Sequence, residues 1–277
     1  MSKTGAALSL FKSKNKLECV IMGIMIICLG AYLSISYAGT VYPQMDATVF
    51  PSPALMYFYK VHEIGQNFWI FICILVILPN LESSKYLDRR ASGFNHFMIQ
   101  RIGKRKTCLL SFGKNIVKSF LFVLFLEIFL LLVIHFTCGP INFIHMEMVE
   151  TGYFYAPQGF VSNEFLNLLI YLLSVSFAYA VLSSFIFAIQ LFIKNKYVYY
   201  ASGLIVGIVL YIGPVMLQHV LPQVPILENL FHALCISNII ELGITVQSNG
   251  VSILSYLVTI LIYSGLTLIL VRSLERR

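Results

Sequence analysis

The glycine–lysine pairs Gly103-Lys104 and Gly113-Lys114 are the first places to seek a phosphate-binding loop. Both lack the glycine five residues earlier and the following Ser or Thr that such a loop needs, so the chain has no Walker A motif of its own. His62-Glu63 begins like a zinc-protease helix, but no His follows three residues later. Ser111-Phe112-Gly113-Lys114 fits the short Ser-x-x-Lys pattern, which chance readily supplies and which no partner motif follows. No Gly-x-Ser-x-Gly elbow occurs. The six His are far apart in sequence, without the spacing of a metal site. Six Cys are scattered with no Cys-x-x-Cys and read as small buried hydrophobes, so they do not reveal the redox compartment. No catalytic residue, bound cofactor or metal is expected in this chain. Glu127 stands apart as a carboxylate inside a long apolar stretch, where ionisation costs on the order of 2.5–3.5 kcal/mol. It must face other helices or an aqueous path, or be protonated. Lys118 is nine residues away on the opposite helical face, and His135 is eight away, so neither pairs with it within the stretch. It serves either as a gating or substrate contact, or as a neutral acid hydrogen-bonded to Ser, Tyr or Asn of another helix.

The elements that position these residues are dictated by composition. Of 277 residues, 58% belong to the AVILMFWYC set and 11% are charged. Mean hydropathy is +0.84. Soluble chains have roughly 45–50% and 25% of the same classes. That excludes a soluble domain and disorder. It also excludes a nucleic-acid-binding domain, despite a net charge of +7, because the basic residues fall between apolar spans. A crossing helix needs about 20 mainly apolar residues. Candidates are Cys19–Tyr37, the stretch between Glu63 and Glu82, Ser119–Cys138, a segment within Phe165–Ile193, one from Tyr197 interrupted at Gly213-Pro214, and Val251–Val271. The expected fold is all-α: a polytopic membrane protein with six transmembrane helices, forming a single domain over residues 1–277.

Orientation follows from charge. All but one of the 19 basic residues fall on one side of a six-span arrangement. The other side holds Lys60 with Asp46, Glu63, Glu147, Glu150, Glu164, Glu228 and Glu241. The positive-inside bias makes both termini cytoplasmic, in a multi-pass protein of the cell membrane. Ser36-Tyr37-Ala38 resembles a signal-cleavage site, but the preceding apolar stretch is longer than a usual signal core, which favours a retained span. Residues 1–18, where Leu8, Leu10 and Phe11 interleave with lysines, form either a cytoplasmic interfacial helix or a basic tail. Residues 214–250 are expected as an outer hairpin, because Glu228, Asn229, His232, Asn238 and Glu241 interrupt an otherwise apolar segment. Gly203 and Gly207 form a GxxxG whose safer reading is packing within the chain. Tyr153, Phe154 and Tyr155 fit an interfacial belt better than a substrate contact.

The most informative stretch is the cytoplasmic loop over residues 82–118. Phe94, Phe97, Met98 and Ile102 recur at three- and four-residue spacing around Gly93, marking the apolar face of a short helix. Asp88, Arg89 and Arg90 precede it and Arg101 follows. Such a helix either lies on the inner leaflet against anionic lipid or inserts into a groove of a soluble partner.

An acidic–arginine pair, a nearby glycine, an apolar stretch, an arginine and a basic run into the next span resemble the loop between the second and third spans of type-two ATP-binding-cassette (ABC) exporter permeases. The basic turn Lys194-Asn195-Lys196-Tyr197, the six-span layout, the basic entry and the outer hairpin are similar to that family as well. The loop departs from the Gly-Thr-type sequence of many members, since Ser92-Gly93 runs directly into Phe94. The resemblance implies a permease subunit without enzymatic activity, dimerised with a second permease subunit, identical or different. It further implies a separate ATPase subunit that binds ATP and magnesium. Asp88, Arg89, Arg90, Gly93, Phe94, Phe97, Met98 and Arg101 would then form the coupling helix that docks in that ATPase. Membrane lipid is the remaining partner, with no nucleic acid. The apolar spans and the acidic outer loops suit a hydrophobic or amphipathic cargo, lipid-like or an antimicrobial peptide, with peptide resistance as one physiological role. The competing reading is a non-ABC integral membrane immunity or sensor protein that acts by binding.

Overall fold

The structure, a computed structural model, describes residues 27–40, 43, 52–65, 67–91, 100–101, 103–143, 163–220, 233–242 and 253–275. Every regular element among them is a helix. In chain order these are α1 (Ile27–Ala38), α2 (Pro53–Val61), α3 (Phe68–Ala91), α4 (Lys104–Thr137), α5 (Glu164–Gln190), α6 (Lys196–Val220), α7 (Ser237–Ile240) and α8 (Ile253–Glu275). Five of them, α3 to α6 and α8, are long and apolar enough to cross a membrane, so the protein is membrane-embedded. The expected first span coincides with α1 over its described part. Residues 1–26, including the interfacial segment, lie outside the described residues.

The boundaries of the loop differ from the sequence expectation. The second span does not stop at Glu82; α3 continues to Ala91. The third does not start at Ser119; α4 begins at Lys104, where Gly103 turns the chain with φ of 82°. The connection therefore narrows to residues 92–103. Charge made the flanks look like loop, but helix formation needs only that each charge reach water or a partner. Glu82 is 1% exposed and paired with Lys118 of α4, which removes the reason to end the helix there. Likewise α6 runs through Gly213-Pro214 to Val220 rather than breaking, although its apolar span ends at Pro214.

The chain divides into two compact units. The first comprises residues 1–58 and 129–144. In it the Tyr57 hydroxyl donates to the Leu33 carbonyl at 3.0 Å, and the rings of Tyr37 and Tyr57 meet edge to face at 5.2 Å. Ser52 Oγ donates to the Pro140 carbonyl at 2.9 Å. Ser52 also opens α2: its carbonyl accepts from Leu55 and Met56, and Pro53 takes the first helical position, where a missing N–H costs nothing.

The second unit, residues 59–128 and 145–277, is organised around α5. This helix is apolar on every side and mostly buried, as expected of a helix enclosed by others. It packs against α3, α6 and α8. Asn163 caps it, its side chain accepting from Leu166 N at 3.1 Å. At its far end Phe187 stacks on Phe112 of α4 at 4.8 Å and meets Tyr86 of α3 edge-on at 5.9 Å. Of the expected outer hairpin over residues 214–250, residues 214–220 instead continue α6, and residues 233–242 are fastened to α8. Thr259 Oγ1 donates to Ala233 O at 2.8 Å and Tyr263 Oη to Leu234 O at 2.7 Å.

The contact of α3 with α6 has a specific cause. Pro79 lies inside α3 and has no N–H, so the carbonyl of Leu75, four residues earlier, loses its helical partner. Gly203 of α6 sits against that carbonyl. A side-chain carbon built on Gly203 would fall 2.7 Å from Val76 Cα and deep inside the contact radius of the Leu75 oxygen. The GxxxG pair thus packs within the chain, with Gly207 over Ile72 and Leu75. Gly203→Ala is expected to force the helices apart at a cost of about 1–3 kcal/mol, lowering the melting temperature in detergent by several degrees. Gly265→Ala in α8, where nothing lies within 4 Å of the added carbon, should leave it unchanged or slightly raised.

Candidate functional site

Glu127 is 2% exposed, and its Oε2 lies 2.6 Å from Nε2 of His62. This partner differs from the Ser, Tyr or Asn expected from sequence. His62 belongs to the turn after α2, a segment that charge alone had assigned to an outer loop. Apolar α2 explains the difference: Ala54, Leu55, Met56, Tyr57 and Phe58 are each at most 2% exposed, so the segment is buried and delivers His62 to α4. The signal was in the sequence, as proline followed by an unbroken apolar run.

A 2.6 Å nitrogen–oxygen contact requires a proton between the atoms. Either the imidazole ring N–H donates to a carboxylate, or a carboxylic acid donates to the imidazole. The side chains of His62 and Glu127 are 6% and 3% exposed, so water competes little for that proton. Around the pair the packing is aromatic: Tyr171 of α5 meets the His62 ring at 5.3 Å and 90°, and Tyr59 meets Tyr171 at 5.0 Å. Burial raises the Tyr59 phenol above its ordinary range, with Glu164 adding to the effect.

A second carboxylate closes the same end of the unit. Glu241 is 4% exposed and accepts the backbone N–H of Ile64 at 2.8 Å, fastening the α2–α3 turn to the segment after α7. The next residue, Leu242, is held at φ of 45° while 3% exposed, a left-handed conformation that a bulky residue adopts only under constraint. Burial and the Glu241 charge push the nearby Cys235 thiol up to about 11. Glu63 is raised by its own burial, with Lys60 opposing.

The opposite end of this unit holds a separate polar network. Lys118 pairs with Glu82. Asn80 donates to Tyr200 O at 3.2 Å and accepts from Gln190 at 3.1 Å; Gln190 also donates to Tyr199 O at 3.0 Å. Tyr199 Oη returns to Ser83 O at 2.9 Å. Asn115 and Ser119 of α4 reach Ser183 of α5 at 3.0 and 2.9 Å. The basic turn before α6 is capped by Asn195, which accepts from Tyr197 N at 2.9 Å.

Of the coupling residues expected from sequence, Asp88 is exposed in the last turns of α3, and Arg89 and Arg90 continue that helix rather than opening a new one. Arg101 is exposed and helical in backbone. Gly93, Phe94, Phe97 and Met98 lie outside the described residues, as do Tyr153, Phe154 and Tyr155. Gly103-Lys104 is a helix entry, and Ser111-Phe112-Gly113-Lys114 lies on helix α4 with Phe112 in the core. The chain matches no protein family, and no curated protein or solved structure is significantly similar to it.

Truncating one member of a buried hydrogen-bonded pair leaves the other buried without its partner and costs about 1–3 kcal/mol, more where the remaining group is charged. His62→Leu should therefore lower the melting temperature sharply, whereas Glu127→Gln, which keeps a hydrogen-bonding group, should lower it less. The double variant His62→Leu/Glu127→Leu should recover part of the loss. A double-mutant cycle with no coupling between the two positions would show that the contact contributes nothing to stability.

Proposed function

We propose that this chain is the membrane-spanning permease subunit of an ABC exporter, with six spans and both termini in the cytoplasm. A separate subunit hydrolyses ATP, and a second permease subunit completes the path. The cargo is hydrophobic or amphipathic, either lipid-like or an antimicrobial peptide. One observation weighs most in favour: both roots of the 92–103 connection are fixed. Tyr86 of α3 and Phe112 of α4 both pack on Phe187, and Lys118 pairs with Glu82. A segment on fixed roots passes a push from a docked ATPase into α3 and α4, where a slack loop would absorb it. The polar network joining these helices to α5 and α6 extends the same path, because hydrogen-bonded groups in an apolar surrounding are costly to separate. The His62–Glu127 pair lies further along α4, nine residues past Lys118, or about 13 Å.

The coupling function is tested in the loop itself. Phe94→Asp or Phe97→Asp puts a charge into a desolvated contact, costing about 3–5 kcal/mol, or at least a hundredfold in affinity. Membrane insertion should survive, since the Lys and Arg count is unchanged. Co-purification of the ATPase subunit and transport should fail together, while Lys104→Gln should change little. If both Phe variants keep the ATPase and full transport, the loop is a membrane-surface anchor. If no ATPase is captured and cells expressing this chain alone are still protected from the peptide, the immunity or sensor reading takes its place.

A further inference from the structure

The start of α4 presents a shallow groove of about 640 Å³ to the outside of the molecule. Leu109, Leu110 and Val117 form its floor and are 48%, 52% and 56% exposed. Gly113 makes a notch between them, with nothing within 4 Å of an added side-chain carbon. Lysines surround this floor. Lys118 is committed to Glu82, but Lys106 and Lys114 are exposed and have no ion-pair partner among the described residues. Towards the middle of α4 the same side of the helix changes character. Leu121 and Phe125 continue the strip at four-residue spacing, exposed and apolar, with no charge.

We propose that this groove is a binding site for an anionic phospholipid. The headgroup phosphate sits between Lys106 and Lys114, and an acyl chain fills the Gly113 notch and runs over Val117 and Leu121. The order of chemistry along α4, cations first and a bare apolar strip after, is the order of a phospholipid lying along the helix. Lys106 and Lys114 are eight residues apart, about 12 Å along the axis. Their long side chains can converge on one phosphate while their stems lie over the leucines. A zwitterionic headgroup brings its own cation towards the two lysines, and an anionic one does not. Each lysine near a bilayer surface favours the anionic lipid by roughly fivefold. The notch supplies what a basic surface alone lacks, a shape that accepts a chain. The site needs only that α4 is embedded, so it stands or falls independently of the exporter reading.

The test is native mass spectrometry of the full chain released from nanodiscs of equal parts dioleoyl phosphatidylglycerol and dioleoyl phosphatidylcholine. The wild type should retain phosphatidylglycerol in preference. Lys106→Gln/Lys114→Gln should reduce its retention at least fivefold without changing phosphatidylcholine. Gly113→Leu, which fills the notch at constant charge, should also reduce it. Lys194→Gln/Lys196→Gln removes the same charge elsewhere and should leave it intact. Melting temperatures of the variants confirm folding, since all these side chains are exposed or, for glycine, unobstructed. Equal loss in the two lysine pairs, or full retention in Gly113→Leu, would overturn the proposal in favour of general surface charge. A lipid-free dimer that Gly113→Leu dissociates would overturn it in favour of a second copy of the chain on this face.

Discussion

Pro79 removes one hydrogen bond from the middle of α3, and in an apolar surrounding that deficit has to be met by another element. Much of the second unit follows from how it is met. A Cα hydrogen of Gly203 points at the freed carbonyl of Leu75, which requires α6 to approach at backbone distance. With α6 there, its first turns come within reach of Asn80, and Tyr199 and Tyr200 offer carbonyls that Gln190 and Asn80 complete. Gln190 is the last residue of α5, so the repair of a single proline defect ends by joining three helices. None of these bonds is strong in isolation. Together they are hard to lose, because lipid offers no replacement partner.

The buried carboxylates obey the same constraint by a different route. Glu82, Glu127 and Glu241 are each nearly fully buried, and each is bonded to a distant part of the chain: Lys118, His62 and Ile64 N. The three solutions differ in what they permit. The Lys118 side chain is 40% exposed while Glu82 is enclosed, so one end of this pair opens to the surroundings. A backbone N–H cannot move without its turn. His62 presents a ring nitrogen to Glu127 while Tyr171 packs edge-on against the ring, so this contact is held by aromatic packing rather than by the backbone.

The sequence shows the crossing helices well because their signal is sheer length of apolar run, and Glu127 because a lone acid in such a run is conspicuous. Helix ends are less legible. Asp88, Arg89 and Arg90 look like loop by composition, yet a helix tolerates charges in its last turns, and α3 continues through them to Ala91. Partners are least legible. His62 and Glu127 are 65 positions apart, and no spacing rule connects them. Only the burial of α2 does so, and α2 was hidden because nine residues are too few to register as a span. Pro53 and the apolar run behind it marked the helix; charge counting on either side obscured it.

The length of α4 has a mechanical consequence. The helical segment Lys106 to Thr137 runs 32 residues, lysines at its start included, and so measures about 48 Å at 1.5 Å per residue. The hydrocarbon layer is roughly 30 Å thick, and spanning helices lean by at most about 40°. Even at that inclination the rod covers roughly 37 Å of depth, so at least a turn must emerge or the bilayer must thicken around it. Tilt and protrusion are then exchangeable. Any force that changes the lean of α4 raises or lowers its lysine-bearing end relative to the headgroups, and the thickness of the surrounding membrane becomes a variable that acts directly on the protein.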